Sequence, residues 1–401
     1  MKWLTCLSFL MILGIFLGLA LAGPYTDSIH GNSTYGVYRN STYARGNCAH
    51  CHQMHTTPNP FALFANNFNT SVITGPYVQS DDFCFYCHGS PSVQIGGITN
   101  YDYSTTFGKA PANATTIMDA FNQASYHDLY DIWNFAQTAF PSFFTNSSNP
   151  CVACHNPHIV KRSCGYPGIT FDSNATAISR PTDHDQLWGD NATEKMSYYA
   201  AGYIYQPTYC YNSTYFEPDC TSNDTLLQAQ KTPDYVSFCT DCHNTSNVIY
   251  SHELGRDLKY IDWENEKHGK GPADGTISVH PPFTNASIGQ YVLSCLDCHE
   301  PHGSPNLYLI RREVNGDLLY STVGTGYGDL GYLCRQCHLD DAAAIAGAIN
   351  SWEYIHHYSP DYPYIRKSCT TCHYSFPIRC TDCHYHNSTA TDSWGVVRRT
   401  F

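Results

Sequence analysis

Sixteen cysteines fall into eight copies of one spacing, Cys-x-x-Cys-His. The copies join Cys48 to Cys51, Cys84 to Cys87, Cys151 to Cys154, Cys239 to Cys242, Cys295 to Cys298, Cys334 to Cys337, Cys369 to Cys372 and Cys380 to Cys383. Each is closed by a histidine: His52, His88, His155, His243, His299, His338, His373 and His384. Two cysteines three apart lie on one side of a single helical turn. Their sulfurs can form thioethers to the two vinyl groups on one edge of a porphyrin, and the next histidine then points at the iron as proximal ligand. Zinc also uses Cys-x-x-Cys, but has no need of a histidine after every second cysteine. A thioredoxin-like redox motif fails on the same count. A disulfide framework fails because cysteines on one turn seldom pair with each other so regularly. The spacing therefore predicts eight covalent haem c groups, each carrying iron.

Eight irons take eight further axial ligands if none is left open. Methionine is scarce, so histidine is expected at both positions. The candidate distal ligands are His30, His55, His127, His158, His252, His280, His302 and His357. His184, His268 and His386 are weaker candidates, His356 adjoins His357, and His50 lies inside a motif. Several candidates sit in a repeat. His55, His158 and His302 each stand three residues after a proximal histidine. Ser28-Ile29-His30, Ser125-Tyr126-His127 and Ser278-Val279-His280 precede those motifs, and a plain motif follows each. The chain thus reads as a first two-haem unit (23–110), a second (111–270) with a haem-free insert at about 159–238, a third (271–345) and a C-terminal pair (346–401).

The elements that must position these residues carry little regular period. Gly, Pro, Asn and Ser punctuate almost every segment. The better helical candidates are Ala114 to Ala136 and Asp340 to Trp352, with one turn at each haem motif. Aliphatic residues are too thinly spread for one conventional core, so haem faces stacked on each other and on Tyr, Phe and Pro are expected to supply apolar mass. The expected fold class is a multihaem cytochrome c: mostly irregular coil with short helices wrapped around a chain of stacked haems, and little β structure. The 32 tyrosines read as packing and surface residues.

Residues 1–22 read as a secretory signal peptide: Lys2, an apolar run, then Ala20-Leu21-Ala22 as cleavage signal. The expected location is secreted, extracellular or at the cell surface. Twelve Asn-x-Ser/Thr sequons agree, at Asn32, Asn40, Asn69, Asn113, Asn146, Asn174, Asn191, Asn212, Asn223, Asn244, Asn285 and Asn387. They fit a heavily glycosylated exterior of the kind expected at an archaeal cell surface. Three mature cysteines remain, and the simplest pairing is a Cys210–Cys220 disulfide with Cys164 odd. The net charge is −13 with no basic block, which argues against nucleic acid as a partner.

The stretch Cys295-Leu296-Asp297-Cys298-His299-Glu300-Pro301-His302-Gly303-Ser304, with His280-Pro281-Pro282 upstream, resembles the doubled units of multihaem cytochromes. In those proteins the histidine three after the proximal one commonly ligates the neighbouring stacked haem. The whole chain resembles extracellular cytochromes that polymerise into conductive filaments, the cytochrome nanowires. The resemblance implies extracellular electron transfer with copies of the same chain as partners, together with upstream membrane or surface electron donors and extracellular acceptors. In such a polymer a distal ligand can come from the next copy, and His30, near the mature N-terminus, is the candidate.

The rival class is an octahaem enzyme of nitrite, hydroxylamine or sulfur-oxyanion chemistry, which needs one open iron in a pocket with acid–base groups. A third class, a surface scaffold stapled by redox-inactive haem, leaves eight redox centres without a use. Bis-histidine ligation throughout predicts that electron paramagnetic resonance of the oxidised protein shows low-spin iron alone. A high-spin signal, or turnover of such a substrate, would favour the enzyme.

Overall fold

The computed structural model describes residues 25–53, 67–95, 116–161, 177–207, 225–272, 279–287, 289–325, 329–338, 385–387, 389–391 and 397–399. The expected signal peptide, the helix at 340–352, Cys164, Cys210 and Cys220 lie outside them. So do His55, His356, His357, the whole seventh motif, the eighth motif through His384, and the sequons at Asn113, Asn174, Asn212 and Asn223.

Most of the described backbone is coil and turn. The longest helix, Leu129–Ala139, has 11 residues. The others include Ile117–Ala120, Met196–Tyr199, Thr225–Lys231 and Tyr235–Thr240. Strands are two or three residues long and pair only two at a time. Segments this short cannot hold a fold by propensity, so packing around fixed points must do so.

The helix expected over Ala114 to Ala136 is broken in two. Its first part starts at a capping box: the Thr116 hydroxyl accepts from Asp119 N–H and the Asp119 carboxylate from Thr116 N–H. The second starts where Asp128 Oδ1 accepts from the backbone N–H of Tyr130 and Asp131. Between them Ser125–Tyr126 pairs antiparallel with Gly303–Ser304, and the Ser125 hydroxyl donates to the Asn306 carbonyl. Helical periodicity gives way there because the backbone is needed to pair with the segment after His302. Gly303 also approaches the end of the first helix closely: a Cβ added there would stand 1.9 Å from the Ala120 carbonyl oxygen.

The chain forms two compact units, and the division does not follow the four linear two-haem units. The first comprises residues 1–72, 77–101 and 132–190, which include the first three motifs; the second comprises 73–76, 102–131 and 191–401. In the first, Ala136, Phe144 and Ala153 form a small buried cluster with Ile132, Trp133 and Phe143 against it. In the second, one cluster gathers Met196, Tyr205, Val236, Trp263, Phe283 and Val292, and another gathers Ile310, Val314, Val323, Leu330 and Leu333. Cysteines of the motifs flank all three clusters.

The stretch at about 159–238 that carries no Cys-x-x-Cys-His motif supplies Met196, Ala200, Tyr205, Ala229 and Val236 to the largest of these cores. Ile204–Tyr205 also pairs in parallel with Tyr291–Val292. Among the described residues, then, its part from Asn191 onward helps to build the second unit. No described helix is long and apolar enough to cross a membrane.

Met196 is fully buried. Met196→Ala should lower stability by about 2–5 kcal/mol, read as a shift in the denaturant midpoint. A peripheral loop would show almost none.

Candidate functional site: opposed histidine pairs at the Cys-x-x-Cys-His turns

Six of the eight motifs lie in described residues, and all six form one tight turn. In each, the histidine N–H donates to the carbonyl of the first cysteine, at 2.8–3.0 Å, for His52, His88, His155, His243, His299 and His338. Side chains upstream start these turns. Asn47 accepts from Ala49 N–H at 2.9 Å, Asp82 from Cys84 N–H at 2.7 Å and Asn149 from Cys151 N–H at 2.9 Å. Ser294 and Asp297 form a capping box at the fifth motif. The caps satisfy amides that so short a turn leaves free.

No disulfide joins the twelve cysteines of these motifs to one another. Burial pushes the Cys51 thiol up to about 12, Cys87 to about 11 and Cys337 to about 12. Such surroundings favour uncharged sulfur, thiol or thioether, over the thiolate that zinc or an iron–sulfur cluster takes. Motifs cluster within each unit. In the first, Cys51 lies within electrostatic reach of Cys84 and Cys87. The sulfurs of Cys84 and Cys151 and a carboxylate oxygen of Asp82 lie within 4.8 Å of one another. Asn149 ties these two turns together, its amide donating to Asp82 at 3.0 Å. In the second, Cys298 lies within reach of Cys334 and Cys337.

The histidine rings carry the decisive geometry. Five proximal histidines each face one spare histidine. His52 faces His158 with ring centres 6.0 Å apart, His88 faces His30 at 6.2 Å, and His243 faces His127 at 6.0 Å. His299 faces His386 at 5.8 Å, and His338 faces His268 at 6.0 Å. Two imidazoles on one metal ion, with nitrogens about 2.0 Å from it and ring centres roughly 1 Å further back, stand about 6 Å apart. The spacing leaves room for one iron and excludes direct ring stacking.

Hydrogen bonds settle which nitrogen faces inward. His30 Nδ1 donates to the Pro157 carbonyl at 3.0 Å, His127 Nδ1 to the Pro301 carbonyl and His299 Nδ1 to the Tyr308 carbonyl at 2.9 Å. His155 Nδ1 donates to the Ala177 carbonyl. A carbonyl oxygen can only accept, so Nδ1 carries the proton and Nε2 keeps its lone pair. That is the tautomer an iron ligand through Nε2 requires. His50 is the contrast: Arg39 N–H donates to its Nδ1 at 3.3 Å and its Nε2 lies 2.9 Å from the Ala44 carbonyl, so it has no lone pair to offer a metal.

Of the expected distal ligands, His30, His127 and His158 stand opposite proximal histidines. His30 stands opposite His88 of its own chain. His280 donates its backbone N–H to the Cys337 carbonyl at 2.8 Å, but the ring facing His338 is that of His268. His252 is gripped by Asp131, which contacts its Nδ1 and accepts its backbone N–H at 2.9 Å, between the edges of Tyr130 and Tyr250. His302 packs edge-on to Phe121. His184 stacks on Phe143 at 4.1 Å.

His268 and His386, ranked low from sequence, are the two that the fold brings forward. His268 had a readable signal. Tyr25 precedes His30-Gly31 by the interval at which Trp263 precedes His268-Gly269. In both, a Cβ on the glycine would strike the aromatic residue's carbonyl oxygen, at 1.9 Å for Gly31 and 1.8 Å for Gly269. His386 had no such signal; Glu266, 120 residues away, positions it.

Comparison with family models, curated proteins and solved structures finds no match to this chain.

Burial lowers the pKa of His30 and His127. Burial, then His127, His299 and His386, brings His243 to about 3. Burial and His386 bring His299 to about 4; burial and His280 bring His338 to about 4. The unfolded chain takes up these protons below about 6.5, while the fold refuses them until about 4, so stability falls as pH falls through that window. Each such histidine contributes on the order of 1.4 kcal/mol per pH unit. Denaturant midpoints at pH 7, 5.5 and 4.5 should decrease in that order; a flat series would contradict the burial of neutral imidazoles.

Proposed function

We propose that this chain is an extracellular electron-transfer protein carrying eight covalently attached, bis-histidine haem c groups, and that it serves as the subunit of a polymeric conductive filament. The observation that carries the electron-transfer reading is the set of five opposed histidine pairs, each made of one motif histidine and one spare histidine at 5.8–6.2 Å. Bound haem would supply reversible one-electron exchange at iron. The chain's own residues supply the rest. The cysteine turns offer two sulfurs on one edge. The paired imidazoles fill both axial positions at these five sites and leave none for substrate. The carbonyls of Pro157, Pro301 and Tyr308 hold the tautomer that presents Nε2. Neighbouring motifs within each unit support close haem spacing, which a conductor needs.

The filament part rests on the resemblance to cytochrome nanowires, on haem density and on the expected export. Copies of the chain, surface donors and extracellular acceptors are the proposed partners. Cryo-electron microscopy of material sheared from cells tests it. Filaments with one continuous haem chain and two histidines on every iron are expected; discrete particles with an open iron facing a pocket would overturn it in favour of the octahaem enzyme. His127→Ala tests the ligand pairing itself. It should turn one low-spin iron in eight high-spin, as followed by magnetic circular dichroism.

A further inference from the structure

Two neighbouring sites in the second unit are backed very differently. At the fifth motif, His386 stands opposite His299. Its Nδ1 donates to Glu266 Oε2 at 2.8 Å, with the glutamate side chain fully buried. The other carboxylate oxygen accepts from Asn387 N–H at 3.0 Å and Asp262 N–H at 3.2 Å. Trp263 packs against the His386 ring at 5.7 Å. At the sixth motif, His338 Nδ1 is buried with no hydrogen-bond partner among the described residues. At the second and fourth motifs the distal histidines are backed by neutral proline carbonyls.

An imidazole that donates to a carboxylate is a more basic ligand than one that donates to a carbonyl, and an unbacked imidazole is the least basic. A more basic axial ligand favours ferric over ferrous iron and lowers the potential. A buried negative charge beside the site acts in the same direction, poorly screened by water.

We infer that Glu266 is a potential-setting residue: it makes the iron at the fifth motif more reducing than those at the second and fourth, whose distal histidines are backed by carbonyls, and it does so next to the sixth, where His338 Nδ1 has no such backing. Cys298 of the fifth motif lies within electrostatic reach of Cys334 and Cys337 of the sixth, so the difference falls between neighbours. The second unit thereby holds a fixed downhill step for an electron passing from the fifth site to the sixth. Glu266 touches His386 and not the iron, so it acts by positioning and charge. The inference rests on the haem reading proposed above.

Glu266→Gln keeps the size and an accepting oxygen but removes the charge. Spectroelectrochemical titration of the complete haem-loaded protein should show one of eight midpoints shifted upward, with all eight irons still low-spin. Eight low-spin haems with every midpoint unmoved would overturn the role of Glu266 and leave the haem reading intact. Absence of covalent haem would overturn the haem reading itself. Should the variant fail to fold, the unaltered protein gives an independent check. In a reductive titration followed by electron paramagnetic resonance, the last ferric signal to vanish should be the one with the smallest g anisotropy, the mark of a carboxylate-backed imidazole. If that signal vanishes early, the inference fails.

Discussion

Two imidazoles can share one iron only when both are neutral, both present Nε2, and their ring centres stand about 6 Å apart. The described structure meets the spacing, and at several rings the charge and tautomer as well, at five places in one chain. Burial keeps His243, His299 and His338 deprotonated far below the ordinary range. Backbone carbonyls take the Nδ1 protons. The hydrogen-bonded Cys-x-x-Cys-His turn positions the motif histidine, so the fold has only to deliver the opposing ring to a place already defined.

That delivery explains the sparse secondary structure. Carbonyls committed to a helix or sheet ladder have little left to offer a side chain, whereas coil leaves them available. Proline carbonyls serve well, because proline interrupts regular structure and still accepts. Pro157 and Pro301 occupy the same place, between a proximal histidine and the histidine three residues later, and each receives the Nδ1–H of a distal histidine from far along the chain. Each such motif therefore holds one histidine of its own opposed pair and orients the spare histidine of another. Small apolar clusters and paired caps such as Asp82 with Asn149 lock the turns in register.

The second unit departs from this pattern where a buried carboxylate replaces the carbonyl. Burying Glu266 demands that its oxygens be satisfied, and His386, Asn387 and Asp262 do so. Residues 385–387 are thereby fixed to the body of the unit. The haem-free stretch takes part in the same construction, since Met196 and Val236 pack in one core with Trp263, which lies against His386.

The tight turns at the six described Cys-x-x-Cys-His motifs and the lack of regular secondary structure were legible in the sequence, because these depend on contacts within a few residues. The sequence also marked His30, His127 and His158 through their repeat. Tertiary structure was needed to show which spare ring stands opposite which motif histidine, since the groups that orient them come from as far as 174 residues away, as for His127 and Pro301. It brought forward His268 and His386 over His280, and it turned the haem-free insert into core. Histidine identity is set by the chain, but the free energy of placing a neutral ring 6 Å from another depends on burial and on a carbonyl or carboxylate supplied from elsewhere. No local pattern encodes that supply.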